Sequence, residues 1–85
     1  MTTIDETELE EVVGSLCNWA FSDSHIVLDK IILKDVLRTD FGVVGRLPTE
    51  KECELLITGD DDGGVPDELQ EHFPQTHELI GTYWE

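Results

Sequence analysis

The chain has 85 residues, 39% of them apolar, and sets 20 acidic side chains against 5 basic ones for a net charge of −15. That length supports one small domain, residues 1–85, burying about 60% of its unfolded surface, with no second lobe to form a catalytic cleft. The charge argues against direct nucleic-acid binding, which needs a basic footprint, while the apolar content argues for a folded chain over a disordered one.

Cys17 and Cys53 lie too far apart for a zinc knuckle and are too few for a disulfide framework. The segment MTTIDETELEE is acidic where a secretory leader is positive, and no apolar run exceeds three residues. Reduced thiols, a cytoplasmic location and no membrane partner are the expectation.

In chain order, residues 1–5 are expected to be flexible. Leu9, Val12, Val13, Leu16, Cys17 and Ala20 then recur at helical spacing, which predicts an amphipathic helix over about 6–21. Thr7 and Glu10 suit a capping box, and Glu8, Glu11 and Ser15 fall on the wet side. Ser22, Asp23 and Ser24 offer caps for a second helix through Val27 to Leu37, with a strand as the alternative given its β-branched content; as a helix, it sets Lys30, Lys34 and Arg38 on one face. That stripe either contributes to a helix-turn-helix or pairs with the acids of the first helix. FGVVGR at 41–46 reads as a turn or extended piece. Thr49 and Glu52 form a second capping box, which predicts a helix over about 50–58 with Gly59 as its C-cap. Pro66 fits the first turn of a short fourth helix bearing Leu69 and Phe73 and ended by Pro74. The tail is read either as a last helical turn or as a short strand through Thr82, Tyr83 and Trp84. The expected class is therefore mainly α, three to four short helices with an optional C-terminal strand, and α+β as the alternative.

Residues 59–64, GDDDGG, open an acidic loop over 59–65 and invite a calcium reading. With Gly63 at loop position six of a calcium hand, Thr58 falls at one and Leu69 at twelve. With Gly64 there, Gly59 and Gly63 fall at one and five, so neither register supplies the ligands. A weak cation site at Asp60, Asp61 and Asp62 stands beside a plain solvated turn. His25, His72 and His77 make no helical metal pair, and His72 and His77 are expected at the surface. Neither a GxSxG elbow nor a phosphate-cradling loop is present, since acids in a glycine loop repel phosphate. No catalytic residue, metal or cofactor is implied, and an enzyme is not expected.

Charge is segregated. Residues 1–29 hold seven acids and residues 52–85 hold ten, with no base in either arm, while all five bases lie within 30–51. A domain about 30 Å across would span roughly 18 duplex phosphate charges, comparable with these seventeen acids. Three readings follow. One is an inhibitor that imitates phosphates and occupies the basic groove of a nuclease or nucleic-acid-binding protein, as small phage anti-defence, anti-restriction, anti-CRISPR and nuclease immunity proteins do at similar size and charge. This is an analogy of kind, with no motif behind it. The second is a halophilic domain of unrelated function. The third is an acidic adaptor anchored by Trp19, Trp84, Tyr83 or Phe73. For the inhibitor, the expected contact residues are Asp60, Asp61, Asp62, Asp67, Glu68 and Glu71 in one patch and Glu8 and Glu11 in another. The partner is then a basic protein, and oligomeric state is left open.

Overall fold

The computed structural model describes residues 4–59 and 64–84, which form five helices and, among those residues, no strand. The helices are α1 (Glu6–Ser24), α2 (Lys30–Val44), α3 (Glu50–Thr58), α4 (Asp67–His72) and α5 (Pro74–Trp84). The mainly α class holds, with one helix more than the three to four expected and a helix where a strand was the alternative.

α1 starts at Glu6, where its sequence predicts, but a different side chain caps it. Asp5 Oδ1 accepts the backbone N–H of Thr7 at 2.9 Å and of Glu8 at 3.3 Å, so the Thr7–Glu10 box is not used. Of the N-terminal residues expected to be flexible, Ile4 packs against the core and Asp5 makes this cap, while residues 1–3 lie outside the described residues. The other end runs on through Ser22, Asp23 and Ser24 and stops at His25, which holds a left-handed conformation (φ 55, ψ 29) and donates its N–H to Phe21 O at 2.8 Å. The three residues expected to cap α2 are thus the last turn of α1. The cap of α2 is Asp29, whose Oδ1 accepts from Ile31 at 2.9 Å and Ile32 at 3.3 Å.

FGVV is the last turn of α2 and not an extended piece, because Gly45 (φ 88, ψ 8) closes the helix by donating to Phe41 O. α3 follows its sequence closely. Thr49 and Glu52 make the reciprocal box, and the helix ends at Gly59 (φ 78), whose N–H bonds to Leu55 O. Pro66 stands just before α4 instead of within its first turn. Pro74 follows the end of α4 and also opens α5, the helix position where a missing N–H costs nothing.

The core draws Leu9, Val12, Val13, Leu16 and Ala20 from α1, Leu33 and Leu37 from α2, Cys53, Leu56 and Ile57 from α3, and Leu69, Phe73 and Ile80 from the C-terminal third. Phe73 is fully buried between α4 and α5, which removes it from the candidate docking anchors. Its ring lies 5.2 Å below the Arg46 guanidinium.

Among the described residues, no neighbouring side chain accepts from the first turn of α5. The acceptor comes from α2: Asp40, 1% exposed, accepts from Gln75 N at 3.3 Å, Thr76 N at 2.8 Å and Thr76 Oγ1 at 2.8 Å. A carboxylate aimed at the first turn satisfies otherwise orphaned N–H groups and complements the helix dipole. At the other end of α5 the Tyr83 hydroxyl accepts the Asp29 N–H at 3.1 Å, so α2 and α5 run antiparallel. These two ties, with Thr76, Ile80 and Tyr83 facing inward, make the tail helical despite its β-prone Thr-Tyr-Trp end.

Candidate functional site

The bases are almost all engaged within the fold. Lys34 Nζ meets Glu10 at 3.2 Å and Arg38 meets Glu6 at 2.7 Å, which clamps α2 against α1 in antiparallel register. Arg46 makes a two-pronged pair with Glu52, 2.6 and 2.9 Å, and Lys51 lies 3.6 Å from Glu54. Only Lys30 is outside an ion pair among the described residues. Of the two fates open to the Lys30, Lys34 and Arg38 stripe, Lys34 and Arg38 take the pairing with helix-one acids.

The acids divide differently. Glu6, Glu10, Glu52 and Glu54 are paired, Asp5 and Asp29 are caps, and Asp40 is buried. Glu52 shows what engagement does: the Arg46 hydrogen bond holds its carboxyl below the ordinary value of 4.5, with the Thr49 backbone helping against the cost of burial. The same pair pushes Arg46 up, and the field of Glu68 adds to it.

Glu8 and Glu11 are exposed on α1 and make no ion pair among the described residues. They line a groove of about 520 Å³ between α1 and the start of α3, together with Glu50, which sequence reasoning did not select. The backbone turn at Pro48 and Thr49 brings Glu50 to the groove that Glu11 lines, a meeting that only the tertiary packing creates. Farther along α1 the same side of the molecule offers Ser15, Asn18 and the half-buried Trp19. Asp67, Glu68 and Glu71 are exposed on α4. Asp60, Asp61 and Asp62, expected to join them, lie outside the described residues. Asp23, whose Oδ2 accepts the Ser24 hydroxyl at 2.9 Å, is also exposed, as are Asp35 and Glu78, which make no ion pair among the described residues, while the α1–α3 groove gathers three carboxylates in one concave site.

No group of three or more His, Cys, Asp or Glu is disposed to hold a metal among the described residues. Cys53 is buried and its thiol is pushed up to about 12, by burial first and by Glu52 and Glu50 in addition, so it stays protonated. Cys17 is half-buried instead of fully enclosed, and burial raises it against the opposing field of Lys30. His72 and His77 are both half-buried instead of surface residues, and His72 Nδ1 is enclosed with no hydrogen-bond partner among the described residues. Tyr83 is half-buried and tied to Asp29. No described helix is long and apolar enough to cross a membrane. The chain matches no protein-family model, no curated protein and no solved structure.

Proposed function

We propose that this protein is an acidic inhibitor that offers carboxylates in place of nucleic-acid phosphates to the basic groove of a nuclease or other nucleic-acid-binding protein. The observation that carries the reading is the unequal engagement of charge. Four of the five bases are paired inside the fold, whereas Glu8, Glu11 and Glu50 line one groove and make no ion pair among the described residues. The molecule is 37 Å long. A net charge of −15 over that length, 37 divided by 15, is one per about 2.5 Å, against one per about 1.7 Å of duplex. A surface of that density steers a basic partner at long range and repels DNA itself. Asp67, Glu68 and Glu71, exposed on α4, supply a second acidic patch, and Asp60, Asp61 and Asp62 lie close to them in sequence.

The test is retention of host proteins on the immobilised chain at two salt concentrations, followed by elution with duplex DNA. Inhibitor action requires a retained nucleic-acid enzyme that DNA displaces, whose activity the free chain suppresses. Reversal of Glu8, Glu11 and Glu50 to Lys should slow association at least tenfold and flatten its salt dependence. Retention that DNA cannot displace, or an on-rate unmoved by that reversal and by reversal of Asp60, Asp61 and Asp62, sinks the reading.

A further inference from the structure

α2 divides two unlike surfaces. Toward α1 it presents Lys34 and Arg38, both ion-paired. About half a turn around the helix lie Ile32, Val36 and Val43, spaced i, i+4 and i+11 along one stripe roughly 16 Å long. Ile32 is 45% exposed and Val43 78%, exposures that stand out in a chain with so polar a surface. Val36 sits in a groove of about 230 Å³ shared with Leu79, Glu78 and Thr82 of the antiparallel α5. Thr39 and Thr82 donate their hydroxyls to backbone carbonyls of their own helices, so they ask for no external partner. Glu78 lines the groove, and Asp35 flanks the α2 stripe one residue before Val36; both are exposed, and neither has an ion pair among the described residues.

We propose that the α2–α5 face is a docking groove for an amphipathic cationic helix of a partner protein, the helix laying its apolar stripe over Ile32, Val36, Val43 and Leu79 and its Lys or Arg against Asp35 and Glu78. An apolar floor between two acidic walls has that complement. A second copy of the chain lacks it, because among the described residues Lys30 is the one base outside an ion pair and two chains at −15 repel. An anionic lipid surface is opposed by the same walls. The inference goes beyond the α1–α3 reading and uses a different side of the molecule, so each can fail without the other.

The probe is a synthetic amphipathic helical peptide of leucine and lysine, titrated into the full chain by calorimetry and by methyl NMR, with oligolysine of equal charge as the control. The peptide should bind with shifts centred on the Ile32, Val36 and Leu79 methyls, and oligolysine should bind at least tenfold more weakly. Ile32→Ser with Val43→Ser should weaken the peptide about tenfold, and Val43→Ser alone, at a position already in water, guards against misfolding as the cause. Glu78→Lys should weaken it and reduce its salt dependence. Glu8→Lys with Glu11→Lys, on the far side of α2, should leave the methyl shifts in place. Equal binding of oligolysine, shifts centred on the α1–α3 groove, unchanged affinity in the Ser variants, or sedimentation showing that the groove is filled by a second copy each overturns the proposal.

Discussion

The α2–α5 seam and the α1–α3 groove use carboxylates in opposite ways. At the seam, Asp40 is enclosed and receives three donors from the first turn of α5. At the groove, Glu8, Glu11 and Glu50 face solvent with no ion pair among the described residues. One acid holds two helices together, and the other three add repulsion that the fold must tolerate. A count of acidic residues treats the two cases alike. Substitution separates them by both size and sign of effect.

The largest effect belongs to Asp40. Asp40→Ala removes the acceptor of two backbone N–H groups and a buried hydroxyl, which should cost about 3 kcal/mol and lower the melting temperature by roughly 15 °C. Asp40→Asn keeps one acceptor oxygen and should cost about half as much. Equal stability of Asp40→Ala and the wild type in thermal and urea melts would remove the distinction between seam and groove.

Glu52 stands between the extremes, paired but partly wet. Glu52→Gln retains the capping box yet loses the charge pair with Arg46, for a cost of about 1 kcal/mol at neutral pH. The sign with pH follows from the direction of its shift. The folded carboxyl titrates below 4.5, so its contribution is complete above that value and disappears as pH falls through the lowered folded value. Wild-type stability should therefore decline more steeply than that of Glu52→Gln in this acid window. Parallel acid limbs would show that the Arg46 pair contributes nothing to folding.

How much of this was legible beforehand depends on whether the determinant is local. α3 could be read closely because its cap, its first-turn partner and its terminating glycine all lie within eleven residues of sequence, Thr49 to Gly59. The α1 stripe was readable for the same reason, since helical spacing alone selects Leu9, Val12, Val13, Leu16 and Ala20. The end of α1 was not, because His25 takes a left-handed conformation usually signalled by Gly or Asn. α5 was hidden by distance. Its cap lies 35 and 36 positions upstream in Asp40, and Pro74 reads equally as an end or a beginning. Phe73, Thr76, Ile80 and Tyr83 do recur at helical spacing, but a polar Thr76 conceals the stripe. At the groove, sequence spacing placed Glu8 and Glu11 on one wet face and missed Glu50, which joins them only through the packing of α3 against α1.

The smallest effect, and the one with the opposite sign, is expected inside the groove. Glu8 and Glu50 stand in the first turns of α1 and α3, where the helix dipole favours a negative charge by some tenths of a kcal/mol. Glu11 lies beyond that turn, three residues from Glu8, so it keeps the repulsion without the compensation. Glu8→Gln and Glu50→Gln should each be close to neutral, whereas Glu11→Gln should stabilise by about 0.3 kcal/mol at low ionic strength. The gain should vanish near 1 M salt, where the screening length falls to about 3 Å. Glu10→Gln, one position away, breaks the Lys34 pair and should destabilise by about 0.5 kcal/mol. Neighbouring glutamates on one helix thus differ in sign because one faces α2 and the other faces the groove, and denaturant melts of the two variants at low and high salt measure that difference. Loss of stability in Glu11→Gln would mean that its carboxylate is held by the fold and is not free for a partner.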